Sequence, residues 1–183
     1  MNRFFSIKNF LFIFLCGLLN VHQVVEGSDF LQSKEVIQNA VAFVPPQGWR
    51  LADKISLPKH VLVMVVGKGA NDYPPSMNLG YDHFNGSIKE YLKIIKNINA
   101  SQGCQLKDLG SISTKAGTAS LSQFDEKTPW GEVRQMHAIL LKDGIAYILT
   151  ASALKDEFPK FYQDFFKSIQ TLHFTSNAND VNL

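Results

Sequence analysis

Residues 134–153 constrain the fold more than any other part of the chain. Two mostly apolar runs, 134–142 and 145–153, flank Asp143-Gly144, a pair suited to the positive backbone angles of a tight two-residue hairpin turn. That turn sets the register: Leu141 opposite Ala146, Leu140 opposite Tyr147, Ile139 opposite Ile148, Ala138 opposite Leu149 and His137 opposite Thr150. Side chains alternate along a strand, so Met136, Ala138, Leu140, Tyr147 and Leu149 share one face while Ile139, Leu141, Ala146 and Ile148 share the other. A hairpin that is apolar on both faces has to be covered on both. The expected class is therefore α+β, an antiparallel sheet sandwiched between α-helical layers.

Both covering helices are legible. Ser87-Ile88-Lys89-Glu90 has the capping-box pattern of a helix start, and Ile88, Tyr91, Leu92, Ile95 and Ile98 then recur at helical spacing until Gly103. The second helix begins near Asp156, because Pro159 is tolerated only in a first turn. It carries Phe158, Phe161, Phe165, Ile169 and Leu172 on one stripe. Further strands are expected at 40–44 (stopped by Pro45-Pro46), 49–51, 60–67, 76–84, 109–114 and 118–124. Residues 67–75, with Gly67, Gly69, Asn71, Asp72, Pro74 and Pro75, read as a loop.

The N-terminus has the order of a secretory leader: Arg3 and Lys8, an apolar run from Phe10 to Val21, then Val25-Glu26-Gly27 before Ser28. Twelve apolar residues fall short of the twenty or so that a spanning helix needs. The expected organisation is a signal peptide at 1–27 cut between Gly27 and Ser28, a flexible lead-in at 28–39, one domain at 40–174, and a disordered polar tail at 175–183. Cys16 is the alternative processing point, as a lipidated first residue, although bulky Leu15 before it argues against that.

Loss of the leader removes two of the 18 basic residues and one of the 16 acidic ones, leaving 16 against 15. That balance, without a basic stripe, makes nucleic acid an unexpected partner. The two cysteines are Cys16 and Cys104, so after leader removal the domain has no internal disulfide and holds by packing alone.

No Gly-x-Ser-x-Gly elbow, phosphate-cradling loop or His-x-x-x-His spacing occurs. Neither a cofactor nor a metal site is expected. His60, His83 and His137 are better explained as surface or satisfied-core residues, and His137 as a hydrogen-bond partner of Thr150.

Four stretches together resemble the PsbP-like family (PsbP and DcrB-like domains): Phe43-Val44-Pro45-Pro46-Gln47-Gly48-Trp49, Gly117-Thr118-Ala119, residues 144–151, and residues 158–174. The resemblance covers about residues 40–174. It implies the same sheet between helical layers, no enzymatic activity, and an accessory, docking or chaperone-like role. No functional residue transfers with it.

The expected function is an exported, non-enzymatic accessory protein of the cell envelope, bacterial and periplasmic. It is monomeric, docks to a protein partner, and has peripheral membrane association as a further option. Asp72 and Tyr73 in the 67–75 loop are the candidate partner contacts. Two alternatives stand beside it: a metal-dependent or thiol hydrolase whose cleft gathers His83, Asp82 or Cys104, and a secreted factor acting on a host.

Overall fold

The computed structural model describes residues 36–38, 41–69 and 72–175. The leader and Gly27/Ser28 cut expected from sequence, Cys16, residues 28–35 and 39 of the expected lead-in, and nearly all of the polar tail lie outside these residues.

The strands are β1 (Val36–Gln38), β2 (Val41–Phe43), β3 (Arg50–Leu51), β4 (Val61–Val66), β5 (Ser76–His83), β6 (Lys107–Thr114), β7 (Gly117–Thr128), β8 (Gly131–Lys142), β9 (Ile145–Leu154) and β10 (His173–Phe174). Helix α1 is Ile88–Ser101 and helix α2 is Phe158–Gln170. Seven strands form one antiparallel sheet in the order β3-β4-β5-β9-β8-β7-β6, and β1-β2-β10 form a small second sheet.

The β8–β9 hairpin has the register that its turn demands, from Lys142↔Ile145 through His137↔Thr150 to Val133↔Leu154. Asp143 and Gly144 both take positive φ, at 51° and 74°. Each face then receives its helix. On one side, Phe158, Phe165 and Ile169 of α2 pack with Met77, Leu79, Met136, Ala138, Leu149 and Ala151. A straight apolar row, Val63–Leu79–Leu149–Ala138–Leu121, crosses five strands on that face. On the other side, Tyr91 and Ile95 of α1 pack with Phe124, Ile139, Ala146 and Ile148.

Local chemistry sets the helix ends. Ser87 Oγ accepts from the Glu90 amide while Glu90 Oε2 accepts from the Ser87 amide at 2.8 Å, the reciprocal box expected from sequence. The bonds that Ser87 donates to Glu90 Oε2, from its amide and from its hydroxyl at 2.9 Å, hold the Glu90 carboxyl below its ordinary range. Helix α2 starts two residues later than Asp156, with Pro159 in its first turn, and it stops at Gln170. Leu172 is buried but lies past the helix, just before β10, because Thr171 caps the last turn through its own hydroxyl to Ser168 O at 2.6 Å.

Two short strands fall outside the sequence reading. β1 sits inside the stretch read as lead-in, so among the described residues strand pairing already occurs at Val36–Gln38. β10 pairs with β2 through His173↔Ala42 and Phe174↔Val41. Two- and three-residue strands carry no periodicity from which to be recognised.

Candidate binding site

The residues proposed for a hydrolase do not meet. Asp82 and His83 are successive on β5, so they face opposite sides of the sheet. Asp82 is buried under α1, where the Tyr91 hydroxyl donates to its Oδ2 at 3.5 Å. Burial, with the Asp82 charge beside it, keeps that phenol protonated far above its usual range. His83 is exposed on the other face, edge-on to Tyr81 at 5.7 Å. Cys104 lies beyond the far end of α1, a fourteen-residue helix about 21 Å long at 1.5 Å per residue. Burial raises the Cys104 thiol's pKa and the nearby Glu126 charge raises it further, so it lacks the thiolate character of a nucleophile. Among the described residues, no cluster of three or more His, Cys, Asp or Glu side chains is placed to hold a metal ion.

The candidate partner loop divides. Asp72 is exposed. Tyr73 turns inward, is 5% exposed, and shares a 2.8 Å hydrogen bond between its hydroxyl and Ser152 Oγ. Its ring lies 5.8 Å from Trp130. Tyr73 is thus a packing residue and leaves only Asp72 on the surface. The loop base is pinned by Gly67 N donating to Pro75 O at 2.8 Å, and Trp49 fills the place where a Cβ on Gly67 would stand.

Ser152 belongs to a feature the sequence reading missed. On the α1 side of the sheet, next to the apolar rows, Asn78, Thr150, His137 and Ser122 lie directly opposite one another across β5, β9, β8 and β7. Ser76, Ser152 and Gln135 form the adjacent row. All seven are at most 5% exposed. His137 Nδ1 is 2.9 Å from Thr150 Oγ1, and its ring stacks on Phe124 at 5.3 Å and 6°. Burial pushes its pKa down to about 3, so the imidazole is neutral. This uncharged polar seam is visible in sequence only once the register of four strands is known.

A groove of about 740 Å³ lies beside β7, lined by Gln102, Gly103, Cys104, Asp125, Glu126, Lys127 and Glu132. Its origin is a mismatch in strand length. β7 runs to Thr128, but its pairing with β6 begins only at Lys107↔Gln123. Residues 124–128 therefore have β8 on one side and no paired strand on the other among the described residues. The chain leaving α1 lines the groove with Gln102, Gly103 and Cys104.

Charge around this edge is organised. Arg134 donates two bonds to Asp125, at 2.8 and 2.9 Å, and Lys155 Nζ bridges Asp125 at 3.1 Å and Glu132 at 2.9 Å. The hydrogen bonds from Arg134 hold the Asp125 carboxyl below its ordinary pKa. Glu126 is the partly buried exception. Burial raises its pKa against the opposing bond from Gln135 Nε2 at 3.1 Å.

No family model and no curated protein sequence matches this chain. Solved structures do match in fold. Cyanobacterial PsbP (CyanoP) from Synechocystis sp. PCC 6803 aligns at a TM-score of 0.52 and 13% identity, over 81% of this chain and 96% of its own. LpqN of Mycobacterium tuberculosis, described as involved in cell envelope biogenesis, aligns at 0.55 and 15%, over 78% and 90%. The Saccharomyces cerevisiae Ran-binding protein Mog1p aligns at 0.55 and 15%, over 77% and 94%. At such identities the likeness is one of fold, and the fold is the PsbP-like one that the sequence resemblance implies.

Proposed function

We propose that this chain is an exported, non-enzymatic accessory protein of a bacterial cell envelope, and that it works by docking to a protein partner. The observation that carries the reading is the open edge of β7. Residues 124–128 have no paired strand on one side among the described residues, three of them, Asp125, Glu126 and Lys127, line a groove of about 740 Å³, and an unpaired strand edge beside a groove suits the addition of an extended peptide segment. Export rests on the leader-like residues 1–27. Similarity in fold to one protein of envelope biogenesis and to one Ran-binding protein supports the docking role. The hydrolase reading is the poorer one, because Asp82, His83 and Cys104 occupy separate faces and ends of the sheet.

Cys104 provides the test, since it lines the groove. A bulky maleimide on Cys104 obstructs the open edge, while a Cys104→Ser chain treated in the same way controls for any other modification. The expected result is that envelope protein retained by the untreated chain is lost on modification and kept by the treated Cys104→Ser chain. Retention that survives modification of Cys104 contradicts docking at this groove.

A further inference from the structure

At the opposite edge of the same sheet, the segment joining β3 to β4 exposes apolar side chains. Three large apolar residues stand exposed among those described: Leu51 at 49%, Ile55 at 94% and Tyr162 at 38%. Two of the three fall within five positions of one another. Ile55 sits in a single 3-10 turn, Lys54–Ser56, and that turn is held in place. Asp53 Oδ1 accepts from the Ile55 amide at 3.0 Å, and Leu57 N donates to Lys54 O at 3.2 Å. Ala52 N donates to Met64 O at 2.9 Å, and Val61 N to Pro58 O at 2.9 Å, tying both ends of the segment down. The fold leaves the isoleucine at the tip of a pinned turn.

Cations outnumber acids three to one in residues 50–60. Arg50, Lys54 and Lys59 are exposed. Asp53 is the one acid between residues 50 and 60, and its carboxylate already accepts the turn's own amide. An exposed apolar tip with three exposed cations within five positions of it along the chain matches the interface of an anionic bilayer, where the side chain enters the headgroup region and the cations meet lipid phosphates.

We infer that the β3–β4 edge is a membrane-docking surface, with Ile55 and Leu51 inserting at the surface of an anionic lipid bilayer and Arg50, Lys54 and Lys59 engaging its headgroups. The occupant is a lipid surface because the patch pairs isolated apolar tips with exposed cations instead of offering a groove. The inference is independent of the docking role of β7. Five strand spacings of about 4.8 Å put β3 and the open edge of β7 about 24 Å apart, so a protein held to lipid by β3–β4 keeps its β7 groove turned toward other partners.

Vesicle flotation tests it, with phosphatidylcholine vesicles set against vesicles containing one-third phosphatidylglycerol. At about fivefold per cation, the three cations predict roughly a hundredfold preference of the wild-type chain for the anionic vesicles. Ile55→Ser is expected to lose about tenfold in that binding, and Lys54→Glu with Lys59→Glu at least about 25-fold. All three positions are exposed, and every variant keeps the same N-terminus, so residues 1–27 contribute equally throughout. Hydrogen exchange on the wild-type chain should show residues 50–60 gaining protection on anionic vesicles. A wild-type chain that ignores anionic vesicles, one that binds both kinds equally, or variants that bind as wild type does would each overturn the proposal.

Discussion

His137 Nδ1 and Thr150 Oγ1 meet at 2.9 Å across the β8–β9 ladder, with both residues 1% exposed. The ordinary imidazole pKa is 6.5, and burial brings that of His137 to about 3. On acidification the unfolded chain takes a proton that the folded one refuses, so the stability present above pH 6.5 is lost as the pH falls toward 3. Between pH 7 and pH 5 the loss from this residue is about 2 kcal/mol. Urea midpoints at the two pH values measure it, and in His137→Gln that part of the difference should vanish.

Gly67 and Trp49 are fitted to each other. A Cβ at position 67 would stand 2.6 Å from Trp49 Cε2, and the indole cannot retreat freely because it meets Phe165 and Phe161 edge-on at 5.9 and 6.4 Å. Gly67→Ala should destabilise by about 1–3 kcal/mol, the usual range for overpacking. It should also alter the near-ultraviolet circular dichroism of Trp49. Thermal melts and that spectrum check both.

Tyr73 and its neighbour Asp72 should separate cleanly. Tyr73→Phe removes the hydroxyl that meets Ser152 and should cost about 1 kcal/mol. Asp72→Ala, on the surface, should leave the denaturation midpoint within error. An equal effect of the two variants would contradict the inward placement of Tyr73.

The tight turn after β8 is the next dependency. Gly144 has a φ of 74° and its Cα faces the Asn85 side chain, so Gly144→Ala meets both a left-handed backbone penalty of about 1–2 kcal/mol and a steric conflict. The expected outcome is a melting temperature lower by several degrees with the β-sheet circular dichroism retained.

Legibility in the sequence followed the range of each signal. Asp143-Gly144 and the runs beside it are local, and from them the register, the two apolar faces and the need for two helical layers could be read before the fold was known. Ser87 and Glu90 marked a helix start for the same reason. The seam of Asn78, Thr150, His137 and Ser122 could not be read in full, because its members come from four strands and only the β8–β9 turn, which pairs His137 with Thr150, announced its register in the sequence. Tyr73, in a loop rich in glycine and proline, carries no periodicity to show which way it points. The β7 groove follows from a difference in the lengths of β6 and β7, and the sequence reading ended β7 at residue 124 rather than at Thr128. That placed the end of the strand where its open edge begins.

The central claim is that the open edge of β7 receives a protein partner, and site-specific photo-crosslinking in living cells of the source organism tests it most directly. A photoreactive residue at Lys127, in the groove lining, is compared with one at Tyr162, exposed on α2. A discrete crosslinked protein species is expected from position 127 and none from position 162. No species at 127, or the same species from both positions, would contradict it.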